Sequence, residues 1–189
     1  MSSIALELPK DVVIQKKLTD MHIQEWLRLD VFHTRWWILI ALIFTVLFIW
    51  WKLLDKSRMR EICLFAALEA ILAMGMCEYG EELTLWDYPT DIIPLFPPLS
   101  SLNLLSLPLV YSLIYQHFDH KKSFIFATVI ASAAICFMVE PILTWGGFYH
   151  LIHWRYYFSL PIYVSMAVIV RIIVQKSYER TERSKIMRP

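Results

Sequence analysis

Two carboxylates sit where a carboxylate is expensive. Glu69 lies in the middle of an apolar run from about Ile62 to Tyr79, and Glu140 lies near the far end of another from Phe124 to Trp145. An ionisable side chain at depth in a bilayer costs roughly 2.5 kcal/mol or more, so each marks a candidate functional position. With no cation beside it, such an acid stays protonated and serves as a neutral hydrogen-bonding group. The competing role is an interhelical hydrogen bond and nothing further. Pro141 directly follows Glu140 and, having no N–H, frees a backbone carbonyl nearby.

A second group of candidates surrounds these two. The stretch that starts at Glu78 carries Glu78, Glu81, Glu82, Asp87 and Asp91 without a Lys or Arg between positions 80 and 98, interleaved with Trp86 and Tyr88. Acids massed this way make a negative mouth that gathers cations, and they equally suit a solvated loop with interfacial aromatics. A later stretch, Trp145 to Tyr157, places His150 and His153 three apart, which on a helix puts both imidazoles on one face. With Glu78, Asp87 or Glu140 they would complete a three-ligand site for a divalent metal, the one cofactor the pattern admits, against the reading of interfacial histidines in ordinary hydrogen bonds. Arg155 is the lone base of these two stretches, and pairing with Glu140 or Glu78 would account for its place at the head of an apolar run. The expected ligand-binding set is therefore Glu69, Glu78, Trp86, Asp87, Tyr88, Glu140, Trp145 and Arg155. His117, Asp119 and His120 read as a hydrated turn. No Walker, GxGxxG, GxSxG, HExxH or CxxC motif occurs, and Cys63, Cys77 and Cys136 read as small buried hydrophobes.

The elements that must hold these residues are membrane spans. The chain is 58% hydrophobic and 15% aromatic, above the roughly 45–50% apolar share of soluble domains. A net charge of +1 with no basic face leaves no nucleic-acid footprint. A bilayer core of roughly 30 Å needs about 20 apolar residues at about 1.5 Å each. Five runs qualify, Trp36 to Leu54, Ile62 to Tyr79, Leu99 to Phe118, Phe124 to Trp145 and Tyr156 to Val174, with Pro108 and Pro161 inside the third and fifth. Arg171, near the end of the fifth, is expected to snorkel to water. The fold class is thus all-α, an integral membrane bundle of five transmembrane helices preceded by an N-terminal amphipathic helix. The divisions are a polar segment 1–34, a transmembrane domain 35–175 and a basic tail 176–189.

Within the first segment, Ile14, Leu18, Met21, Leu29 and Phe32 share one side of a helical wheel opposite Lys16, Lys17, Thr19, Asp20 and Gln24, starting after Pro9, with Glu25 interrupting the stripe. Such a helix lies in the interface or caps the bundle. Lys52, Lys56, Arg58 and Arg60, then Lys121 and Lys122, then the basic tail, place the first and third connections and the C-terminus in the cytoplasm, and hence the N-terminus outside. Lys10, Lys16, Lys17, Arg28 and Arg35 on that outer segment run against the rule.

Glu78-Tyr79, Trp86-Asp87-Tyr88-Pro89, the Pro-rich third span ending Tyr115-Gln116, Glu140, and the run from Trp154 to Tyr163 together resemble a family of small uncharacterised five-span membrane proteins of spore-forming Gram-positive bacteria. The resemblance covers most of residues 35 to 175 and implies a bacterial cell membrane. Glu78-Tyr79 and Trp86-Asp87-Tyr88 also resemble elements of membrane-bound lycopene cyclases, although the spacing differs and a Pro-x-Glu-Glu motif is absent. The expected function is a binding or accessory membrane protein with an outward-opening polar and aromatic pocket for a cation, a small polar molecule or a lipid head group. The alternatives are an acid-catalysed isomerase or cyclase for an apolar substrate, which the second resemblance implies, and a structural subunit. The expected partners are the lipid bilayer and a second membrane subunit or copy of the chain.

Overall fold

In a computed structural model that describes residues 9–93 and 102–186, almost the whole chain is helical. The first helix, α1 (Lys10–Glu25), begins directly after Pro9 and runs into one wide π-type turn, Trp26–Asp30. The chain reverses at Phe32, which takes the left-handed φ of 63°, so the apolar stripe does not continue on one helix through Leu29 and Phe32 as its spacing predicts. No residue of α1 is buried, and Ile14, Leu18 and Met21 are all exposed. A helix that caps the bundle would bury that stripe, so this α1 is not such a cap.

Four helices are long and apolar enough to cross a membrane: Thr34–Leu53, Lys56–Glu82, Lys121–Trp145 and Tyr156–Glu179. They correspond to α2 (Thr34–Leu53), α3 (Met59–Glu82, entered through a tight turn at Lys56–Arg58), α5 (Lys121–Trp145) and α6 (Tyr156–Ile186). Between them lies α4 (Leu102–His117), 16 residues long with Pro108 inside it. The expected start of this run at Leu99, with Pro94, Pro97 and Pro98, lies outside the described residues.

Hydrogen bonds at the two ends of α2 fix the path of the chain. Near its start, Trp36 Nε1 donates to the Ile92 carbonyl at 3.3 Å, and Trp26 Nε1 donates to the Asp91 carbonyl at 2.9 Å. At its other end, Gln116 Nε2 donates to the Leu53 carbonyl at 2.8 Å while Gln116 Oε1 accepts from the Asp55 N–H at 3.0 Å. Ile92 and Gln116 therefore stand at opposite ends of α2, which is about 30 Å long for its 20 residues. At the same far end, Arg58 pairs with Glu61 at 3.1 Å and Asp119 at 3.3 Å.

The core lies between α3, α4, α5 and α6, built on Phe65, Leu107, Tyr111, Tyr115, Phe124 and Val170. Phe65 stacks on Tyr115 with centroids 4.6 Å apart, and Phe124 meets both rings edge-on. Arg171 does not snorkel. It is 4% exposed, donates to the Phe118 and Asp119 carbonyls at the end of α4, and lies 4.4 Å from the Phe124 centroid. Those carbonyls have no further helical turn to serve, so the cation satisfies them and gains a π face as well. In contrast, α2 buries only Leu39 and turns Trp37, Phe44, Phe48 and Trp51 outward.

Candidate functional site

At the Trp36 end of the bundle the two long connections meet. After α3 the chain turns through Thr84 (φ 52°) into strand β1 (Trp86–Asp87), which pairs antiparallel with β2 (His150–Leu151), Trp86 opposite Leu151 and Asp87 opposite His150. The Leu85 carbonyl accepts from the Ile152 and His153 N–H groups at 3.0 and 2.9 Å, extending the ribbon. Gly80 allows the ribbon to close on α3. A Cβ there would stand 1.9 Å from Trp86 Cζ2, so only glycine lets the indole rest against the helix.

Beneath this ribbon is a cavity of about 30 Å³. Trp86, Tyr88, Tyr149 and Trp154 wall it from the loops, Ala73, Met76 and Cys77 from α3, Leu107 from α4, and Ser159, Ile162, Tyr163 and Met166 from α6. The Trp86 and Trp154 rings meet edge to face at 5.1 Å, and Tyr88 stacks on Tyr149 at 5.2 Å. Burial pushes the Tyr88 and Tyr149 phenols above their ordinary range, so both stay neutral hydroxyls. The Tyr88 hydroxyl lies 3.7 Å from Cys77 Sγ. The Trp86 indole N–H is buried without a hydrogen-bond partner among the described residues. No Lys or Arg lines the cavity.

Glu140 stands behind this wall. It is 0% exposed, and the Tyr163 hydroxyl donates to its Oε1 at 2.7 Å. The Ser159 hydroxyl, which accepts from Trp154 Nε1 at 3.0 Å, lies beside the same carboxyl. The second oxygen, Oε2, has no hydrogen-bond partner among the described residues. A π-type turn, Ile135–Val139, directly precedes Glu140 in α5. Pro141 cannot donate to Phe137 in the helical ladder, so the wide turn falls where the ladder is already broken.

Glu69 lies one helical turn inward of Ala73, at 0% exposure, and neither of its oxygens has a hydrogen-bond partner among the described residues. The two acids do not meet across the cavity, and neither lines it. Tyr111 lies within electrostatic reach of both, its hydroxyl 2.8 Å from Ser132 Oγ.

The eight expected residues thus divide. Trp86 and Tyr88 wall the cavity, Glu140 backs it and Glu69 lies below it. Glu78 and Asp87 are exposed, and Trp145 is 91% exposed, turned away from the bundle. Arg155 is exposed on a separate open groove with Tyr156 and Tyr157, and the ion pairs among the described residues, both of Arg58, do not include it. The expected pairing of Arg155 with Glu140 or Glu78 is therefore absent there. His150 and His153 occupy a strand and a bend rather than one helical face, because pairing with β1 extends the backbone. His153 Nδ1 faces the Thr84 carbonyl at 3.1 Å, and no group of three His, Cys, Asp or Glu side chains among the described residues could hold a metal ion.

Comparison with protein-family models, curated proteins and solved structures finds no match. The chemistry must be read from this site alone. Sequence reasoning passed over Tyr149, Trp154, Ser159 and Tyr163. For Ser159 and Tyr163 the signal was present in α6, where Ser159, Tyr163, Met166 and Val170 recur at helical spacing along its inward face.

Proposed function

We propose that the chain is a five-span membrane protein that binds a small organic ammonium group in the aromatic cavity at its outer end. Five crossings follow if the stretch from Ile92 to Gln116, which stand at opposite ends of α2, crosses with it. Lys52, Lys56, Arg58, Lys121 and Lys122 share the Gln116 end, which puts that end in the cytoplasm and the cavity outside.

One observation carries the ligand class. Five aromatic side chains, no Lys or Arg among the described lining residues, and a carboxyl behind the wall surround a space below exposed carboxylates at Glu78, Glu82 and Asp87. Aromatic faces attract ammonium cations, and a negative mouth concentrates them. A volume of about 30 Å³ suits two or three heavy atoms, so an aminoethyl group fits inside and a fourth heavy atom stands at the mouth. The unpartnered Trp86 N–H offers a donor to an oxygen on the ligand. Ethanolamine has that chemistry, either free or as a phospholipid head group.

Purified full-length protein should be melted in detergent with ethanolamine, with neutral ethylene glycol and with ethylammonium, which lacks the oxygen. Ethanolamine should stabilise most, by about 2.7 kcal/mol at a hundredfold excess over its Kd, ethylammonium less and ethylene glycol not at all. Equal shifts with ethanolamine and ethylene glycol, or none with either, would sink the reading. In nanodiscs of phosphatidylglycerol with and without phosphatidylethanolamine, native mass spectrometry assigns the source. Retention of phosphatidylethanolamine points to the lipid, and displacement by free ethanolamine alone points to the soluble amine.

A further inference from the structure

We infer that Glu140 exchanges a proton for the ammonium group, so that each cation entering the cavity releases one proton to the outer solution. This rests on the binding reading above and adds a coupling to it.

Among the described residues Glu140 takes part in no ion pair. From α6 it is faced by Tyr163 and Ser159, from α4 by Tyr111, from the outer loop by Tyr149, and from its own helix by Cys136. The α3 groups Glu69 and Cys77 face Tyr111 and Tyr88 instead. All of the groups around Glu140 are neutral proton carriers. A lone carboxylate in such surroundings is penalised by desolvation and a protonated one is not, so the acid holds its proton until a countercharge arrives.

The arriving countercharge is the ligand. Tyr163 and Ser159 belong both to the cavity wall and to the surroundings of Glu140, so a cation in the cavity acts on the carboxyl across a single layer of hydroxyls. The step balances as a protonated Glu140 plus an ammonium ion from solution giving a Glu140 carboxylate beside a bound ammonium ion, plus one proton in solution. Charge inside the protein is unchanged. The unpartnered Oε2 is the oxygen that carries the exchangeable proton, since Oε1 already accepts from Tyr163.

Two measurements on the full chain test this, over about pH 6 to 8 where ethanolamine stays protonated. In weakly buffered detergent solution, a pH indicator should record about one proton released per ethanolamine bound. By linkage the affinity should then rise about tenfold per pH unit while Glu140 is protonated. Glu140→Gln should bind more weakly, release no proton and show no pH dependence. Wild-type binding without proton release and with a flat pH profile overturns the exchange and leaves the binding reading standing. Proton release that persists in Glu140→Gln also overturns it, because the proton then comes from another group. If no ethanolamine binds at any pH, the binding reading fails and the exchange fails with it. The wild-type proton count and pH profile decide the matter even if the variant does not fold.

Discussion

Glu140 and Glu69 have the same burial and opposite surroundings, so the same substitutions should affect them differently. Glu140 Oε1 accepts from Tyr163, so Glu140→Ala orphans a buried hydroxyl and opens a gap, and should lower stability in detergent by about 1–3 kcal/mol. Glu140→Gln retains an acceptor of the same shape and should melt close to wild type. Glu69 has two buried oxygens without partners, so replacing it with an apolar side chain of similar volume removes a penalty and breaks no bond. Glu69→Met should therefore raise the melting temperature or leave it unchanged. A clear drop would mean that Glu69 holds a partner, such as a bound ion. Gly80→Ala should cost about 1–3 kcal/mol by lifting the Trp86 ring off α3, with a red-shifted tryptophan emission as the accompanying sign. Both acids were visible in the sequence because a carboxylate within an apolar run has few bland explanations. Tyr163 and Tyr149 were not, because an aromatic in or beside a span is ordinary, and only the fold brings either one to the cavity.

The elements show the same contrast between patterns that decide and patterns that do not. Four of the five apolar runs are helices long enough to cross a membrane, where the backbone must satisfy itself, while the described helix of the third run, Leu102–His117, has 16 residues. The histidine spacing gave the wrong element. Three residues apart fits a helix, but Leu85 and β1 offer hydrogen bonds across the gap, and the segment pairs as a ribbon. Trp145 was expected to line the cavity from its place in the outer loop, yet it ends α5 on the outward side. The path of the chain makes a labelling prediction in a background lacking Cys63, Cys77 and Cys136. Cysteines at Ser57 and at Ser184 should be shielded from an impermeant thiol reagent in intact cells, and one at Glu82, exposed at the end of α3, should react. Thr90 is a poor reporter at 3% exposure. Labelling at Ser57 without labelling at Glu82 would invert the orientation and close the cavity to the outside.

For the whole molecule, α1 raises the question of what solvent its apolar stripe meets. Nothing in the bundle covers Ile14, Leu18 or Met21. What ties the segment down comes after the helix, where Trp26 Nε1 bonds the Asp91 carbonyl and the Asp91 backbone N–H reaches Asp30. Burial there pushes the Asp30 carboxyl above its ordinary range, a sign that this turn is seated against the segment around Asp91. Deleting residues 1–24 should therefore change the melting of the bundle in detergent by no more than about 0.5 kcal/mol, the scale of surface changes. Trp26→Ala should cost about 1 kcal/mol or more, through a lost hydrogen bond and lost packing. The stripe itself is tested in lipid. Thr34–Leu53 begins just after the Phe32 reversal, and the Trp36–Trp37 pair suits the interfacial belt, so on the proposed topology α1 is expected close to the head groups. An amphipathic helix in that position sinks its apolar side among the acyl chains and leaves Lys16 and Lys17 in water. In vesicles rich in anionic lipid, an environment-sensitive fluorophore on a cysteine at Leu18 should emit to the blue of the same probe at Lys17. Equal spectra at the two positions would mean that α1 stands clear of the membrane, with its stripe left for a partner chain to cover.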